Sequence, residues 1–120
     1  MFRKIDDFAK AWDYETEATV KVMSALTDAS LTQKVTDDGR SLGFIAWHIT
    51  QTLGEMPGLV GLTVEAPEFS DDCPSSAAAI AAAFETAARS VAAQVTENWT
   101  DETLLIEDEM YGETWSRGMT

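Results

Sequence analysis

Basic residues are scarce in this chain. Eight Lys and Arg stand against 21 Asp and Glu, for a net charge of −13. Such a surface repels duplex nucleic acid, whose binding depends on cations neutralising phosphates, and it repels an anionic membrane. Small molecules and other protein chains remain as partners. Cysteine is nearly absent: Cys73 stands alone, which excludes an intramolecular disulfide and suits a reducing, cytoplasmic location. No run approaches the ~18 uninterrupted apolar residues that span a bilayer; even the alanine-rich stretch from Ala77 to Ala93 is broken by Glu85 and Arg89. The opening "MFRKIDDFAKAWDYE" has no apolar core of the signal-peptide kind, which predicts no secretion signal. Histidine is the last scarcity. His48 is the only one, and a lone imidazole supplies one ligand where metal sites take several.

What is there is helical. The chain has 120 residues, of which 45% are hydrophobic, enough for one domain over residues 1–120 without disulfide or metal. A first helix is predicted over about residues 6–27. Asp6 and Asp7 suit its start, and Phe8, Trp12, Thr19, Val22, Met23 and Leu26 form one stripe. Ser41 is positioned to cap a second helix over about 41–56, ended by Pro57 and Gly58, with Leu42, Ile45, Ala46, Ile49, Leu53 and Met56 as its core face. A Pro- and Gly-bearing connection follows. The third helix, about 75–99, has a seam of Ile80, Phe84, Ala87, Val91 and Val95 on a background of alanine, the best helix former. Leu104 to Ile106 reads as a loop or a short extended ribbon, and Trp115 with Ser116 as the start of a fourth helix. Three one-sided helices need a fourth element to close their core, from this chain or a neighbour. The uncovered apolar face predicts self-association, by default as a twofold homodimer.

His48 lies about a quarter turn off the centre of the second helix's apolar face, on a flank with Phe44, Gln51 and Glu55. Such a flank is where a bundle builds a pocket, and equally where it leaves a half-exposed histidine. The blander reading weighs more, because no second histidine exists to share a metal. Glu107, Asp108, Glu109 and Glu113 could offer oxygen ligands, though acidic runs are usually solvated faces. Ser41, Ser75 and Ser76 read as caps with no base near them. Cys73 next to Pro74 could gain thiolate character at a helix start, but a spectator role is the simpler one. "GLVGLT" lacks the spacing of a phosphate loop. Trp12, Trp47, Trp99 and Trp115 read as core or pocket-wall residues.

The stretch "DDGRSLGFIAWHITQT" resembles the second-helix signature of the DinB/YfiT-like family of metal-dependent proteins. The order of features is similar too: a first helix with Trp12 and Glu15, the "LTDASL" connection, then Trp-His on the next helix. "GETWSRGMT" resembles the segment leading into that family's last helix. The resemblance implies an all-α, antiparallel four-helix bundle of the up-down type, often a homodimer, with its last helix largely missing from this chain. It implies a divalent metal, zinc or nickel, held by three histidines. His48 matches the first of these; the other two form a His-x-x-x-His pair that follows the segment matched by Trp115 to Thr120. It also implies kinship with thiol-dependent transferases and isomerases, including those using mycothiol or bacillithiol. With two of the three histidines absent, this chain alone is expected to bind no metal specifically. His48 is its residual ligand, held by hydrogen bonds or water near Gln51 or Glu55. A non-enzymatic helical dimer, or a small-ligand module with Phe44, Gln51 and Glu55 as its pocket, is the alternative.

Overall fold

The computed structural model describes residues 1–120. Three helices dominate: α1 (Ile5–Ser24), α2 (Leu42–Leu59) and α3 (Ala77–Asn98). A short 3-10 turn, Asp28–Thr32, separates α1 from α2. A second, Thr103–Leu105, precedes the antiparallel hairpin of β1 (Glu107–Met110) and β2 (Glu113–Ser116).

Hydrogen bonds fix the helix directions. The backbone N–H of Ala77, at the start of α3, donates to Asp28 Oδ1 at 2.8 Å, just past the end of α1. The N–H of Ile5, at the start of α1, donates to Asp101 Oδ1 at 2.8 Å, just past the end of α3. α1 and α3 are therefore antiparallel. α2 starts beside the turn that follows α1, where Leu42 N–H donates to the Gln33 carbonyl at 2.9 Å, so it runs parallel to α3. The order is up-down-down. A parallel pair needs a connection the length of a helix, and residues 60–76 provide it.

That connection is strapped between α2 and α3. From α2, Trp47 Nε1 donates to the Asp71 carbonyl at 3.0 Å and Gln51 Nε2 to the Glu68 carbonyl at 2.6 Å. From α3, Gln94 Oε1 accepts from Thr63 N–H at 3.0 Å and Ser90 Oγ from Glu65 N–H at 2.8 Å. Its backbone groups thus find partners without a sheet.

α1 and α2 both pack on α3 rather than on each other. The main core joins Met23, Leu31, Ala46, Trp47, Ala77, Ile80, Phe84 and Ala88; Leu62, Val91 and Val95 form a smaller second core. Small residues let the helices approach. Ala87 and Ala88 are fully buried, and Trp12 Nε1 reaches across to donate to the Ala88 carbonyl at 2.8 Å.

The structure corrects several boundaries. α1 stops at Ser24 because Thr27 and Ser30 form a reciprocal capping box that starts a new turn. α2 passes through Pro57 and Gly58 to Leu59. A proline near a helix end sacrifices one hydrogen bond and keeps a helical φ; the chain turns away only at Gly61, with φ +83°. α3 is capped by Ser76, whose Oγ accepts from Ala79 N–H at 3.3 Å. No fourth helix starts at Trp115 and Ser116. Both belong to β2, and Tyr111 and Gly112, with φ +54° and +85°, make the two-residue hairpin loop that turns β1 back onto it. The short apolar run is a 3-10 turn leading into that hairpin.

Candidate functional site

α2 carries apolar residues on two faces, and the structure buries the one that periodicity ranks lower. Gly43, Ala46, Trp47, Thr50 and Gln51 are buried, against the 3-10 turn, α3 and the connection. The reason is steric. A Cβ at Gly43 would lie 3.0 Å from the Leu31 carbonyl oxygen, so glycine there lets the turn sit directly on α2. The expected core face is left partly outside: Ile45 and Ile49 are 41% and 40% exposed, and Phe44 of the flank is 48% exposed beside them.

His48 sits at the edge of this outer face, partly buried. Its ring stacks on Phe44, with centroids 5.9 Å apart and planes at 19°, and leans on Phe69 of the connection at 6.0 Å. The Arg40 guanidinium covers Phe44 in turn, 5.2 Å from the ring centre. The imidazole makes no hydrogen bond to another protein group, and no buried side-chain nitrogen or oxygen lacks a partner, so its nitrogens face outward. The expected partners are engaged elsewhere. Gln51 is buried and holds the connection, while Glu55 Oε1 accepts from the Tyr111 hydroxyl at 2.9 Å. Of these three residues Phe44 packs against His48, while Gln51 and Glu55 have their hydrogen bonds elsewhere.

No three His, Cys, Asp or Glu side chains converge to hold a metal ion. The acidic residues of the hairpin do not approach His48 as a ligand set; Asp108 is paired with Arg117, Nε to Oδ2 at 2.8 Å. Cys73 is exposed, and burial of its sulfur, though slight, pushes the thiol pKa above the ordinary value. A raised pKa is the opposite of activation.

An apolar concavity lies toward the C-terminal end of α2. A cavity of about 290 Å³ opens between the start of α1, the ends of α2 and α3, and the residues after β2. Its walls are Phe8, Trp12, Leu53, Met56, Val95 and Trp99, among others. One charged residue lines it, Arg117. This guanidinium is held on two sides, by Asp108 and by the face of Trp99, 5.3 Å from the ring centre. None of Phe44, His48, Gln51 or Glu55 belongs to the lining. The nearest of the α2 wall residues in sequence is Thr52, one turn on from His48. Sequence reasoning missed the cavity because its wall comes from six separate stretches of chain. Only the tryptophans, read as core or pocket-wall residues, pointed to it.

The model of the DinB family matches residues 1–120, the whole chain. The chain belongs to the DinB family. It is 38% identical to the protein YrdA of Bacillus subtilis strain 168 over 104 residues, 87% of this chain and 62% of YrdA. The chain thus spans less than two thirds of that relative's length. The crystal structure of a DinB-like protein from Bacillus cereus ATCC 10987 superimposes with a TM-score of 0.92 at 30% identity, over 98% of this chain and 79% of that one. The DinB fold is therefore shared along nearly the full chain, including the up-down-down path of its helices.

Proposed function

We propose that this DinB chain is the platform of a metal-dependent protein acting on small thiols, to which it contributes one ligand, His48. The observation that carries this reading is the state of the imidazole. It is oriented by stacking between Phe44 and Phe69, yet spends neither nitrogen on the protein. Both nitrogens are therefore available to a ligand from outside these residues. A metal does not fit the residues present, because His48 has no companion ligands. The reading therefore requires two further ligands from a segment packed along the open side of α1 and α2, in the manner of the family's last helix and its His-x-x-x-His pair. Three protein ligands with an open position is the usual arrangement of a catalytic zinc. Elemental analysis after dialysis is the test. Residues 1–120 should retain well under one zinc or nickel per chain. A form extended by a helix carrying His-x-x-x-His should retain one, and His48→Ala should release it. A full equivalent on the short chain that survives His48→Ala would defeat the assignment.

A second reading is favoured by the cavity. Its size, apolar walls and single cation match a small-molecule compartment. On this reading the domain binds a compact apolar ligand in this cavity, whose lining does not include His48.

Homodimer formation is proposed alongside both readings. It is supported by the outer face of α2, where Phe44, Ile45 and Ile49 stand exposed together, and where no Asp, Glu, Lys or Arg occurs from Ser41 to Gly54. In sedimentation velocity, Ile45→Glu with Ile49→Glu should give a monomer. A wild-type monomer at high micromolar concentration would count against the pairing.

A further inference from the structure

We propose that the cavity is selective for small apolar carboxylates, the carboxylate being received by Arg117. This rests on the reading of the cavity as a ligand compartment and adds the class of ligand. The first consideration is volume. Cavities of about 150 Å³ lined by aliphatic and aromatic side chains are dry and hold a benzene ring. The space here, about 290 Å³, takes a ring with a short aliphatic chain. The second is the wall, where Phe8, Trp12, Met56, Val95 and Trp99 offer aromatic and aliphatic contact without competing hydrogen bonds. Thr52, which also lines it, has already given its hydroxyl to the Ile49 carbonyl at 2.8 Å.

The third consideration is charge. The molecule is strongly acidic, yet the one charged side chain lining the cavity is a cation. Arg117 uses Nε and Nη2 on the two oxygens of Asp108, at 2.8 and 3.3 Å. Its Nη1 makes no hydrogen bond to the protein, which leaves two N–H donors for an incoming oxygen. The guanidinium cannot swing freely, because Asp108 fixes its edge and Trp99 its face. A preorganised donor loses less entropy on binding, and guanidinium geometry suits a carboxylate better than it suits a neutral hydroxyl. An amine would meet like charge at the same point.

Three probes with one apolar body separate the possibilities: 4-phenylbutyrate, 4-phenylbutanol and 4-phenylbutylamine. Binding is followed by the fluorescence of Trp12 and Trp99 and by titration calorimetry. The acid should bind at least tenfold more tightly than the alcohol, and the amine most weakly. Arg117→Gln should remove the preference for the acid while leaving the alcohol's affinity within about twofold. Asp108→Asn, which frees the guanidinium from its partner, should tighten the acid by several-fold, and this variant keeps the assignment testable should Arg117→Gln fold poorly. Val95→Trp, which fills the space, should abolish binding of all three. Equal binding of acid, alcohol and amine would overturn the carboxylate assignment and leave the compartment standing. No binding of any probe to the folded wild type would overturn both. His48→Ala should change none of these affinities, since His48 is not part of the lining.

Discussion

At the scale of single residues, the closest constraint lies where the two termini of the described chain meet. Phe2 N–H donates to the Gly118 carbonyl at 3.0 Å, and Gly118 N–H donates to the Leu104 carbonyl at 2.9 Å. A Cβ on Gly118 would collide with the Phe2 carbonyl oxygen and lie 3.2 Å from that of Leu104. Both obstacles are backbone, so neither can turn aside as a side chain would. Gly118→Ala should cost about 1–3 kcal/mol, the range for forcing an extra methyl into a packed site. Urea denaturation measures it, and a loss under ~0.5 kcal/mol, the usual surface level, would show that the N-terminal residues simply move away. Cys73 gives a second check. With its pKa raised by partial burial, its thiolate fraction near neutral pH falls below that of a free thiol. Iodoacetamide should therefore modify it more slowly than it modifies an unstructured cysteine peptide; faster modification would contradict the raised pKa.

At the scale of elements, the three helices were legible in the sequence because each keeps a 3.6-residue period, and Ser41 and Ser76 do cap as read. α2's orientation was not legible. Its buried face includes Gly43, Thr50 and Gln51, which no hydrophobic pattern would select, because that face is closed by the turn before it and by the strapped connection. Periodicity ranks faces by apolar content and carries no information on what arrives to cover them. The place of His48 was read relative to Leu42 and Ile49, of which Ile49 lies exposed, and its neighbour Phe69 is 21 positions away in an irregular segment. The hairpin escaped for a related reason. Its strands, EDEM and ETWS, are short and acidic, and only Met110 is fully buried. The signal available was Tyr-Gly, a two-residue loop whose second position is glycine.

That loop also makes the hairpin sensitive to alkaline pH. The Tyr111 hydroxyl donates to Glu55 Oε1, and this bond, more than burial or the charge of Glu55, raises the tyrosine pKa. Raised in the folded state, it contributes stability that is complete below the unfolded value, near 10, and is lost as pH climbs through the folded one. Ionisation removes the donated proton and sets phenolate against carboxylate. Wild type should therefore lose stability relative to Tyr111→Phe as pH passes about 10, and the two should run parallel from pH 7 to 9. A constant difference between them across the alkaline range would mean that the hydroxyl bond contributes nothing. The hairpin should loosen first, seen as faster amide exchange in β1 and β2 than in α3.

At the scale of the whole molecule, charge is the dominant quantity. A net −13 means that most charged side chains feel repulsion in the compact state. Few attractions offset it. Only two ion pairs form, Arg89 with Glu85 and Arg117 with Asp108. The first joins neighbouring turns of one helix and is largely exposed, so it is worth little; the second is local to the hairpin. Screening therefore removes more repulsion than attraction. Raising sodium chloride from about 0.01 to 0.1 M shortens the Debye length from about 30 to 10 Å, which covers the spacing of surface charges on a domain of this size. The melting temperature should rise steeply over that interval and flatten above it. A steady rise continuing to molar salt would instead indicate the general strengthening of apolar burial by excluded ions. Replacing the exposed Glu15 and Glu17 of α1 with lysine tests the electrostatic origin directly. Each exchange changes the net charge by two, so the pair brings −13 to −9. It should raise the melting temperature at low salt and reduce its salt dependence. An unchanged salt profile in that variant would place the stabilisation elsewhere than in the acidic surface.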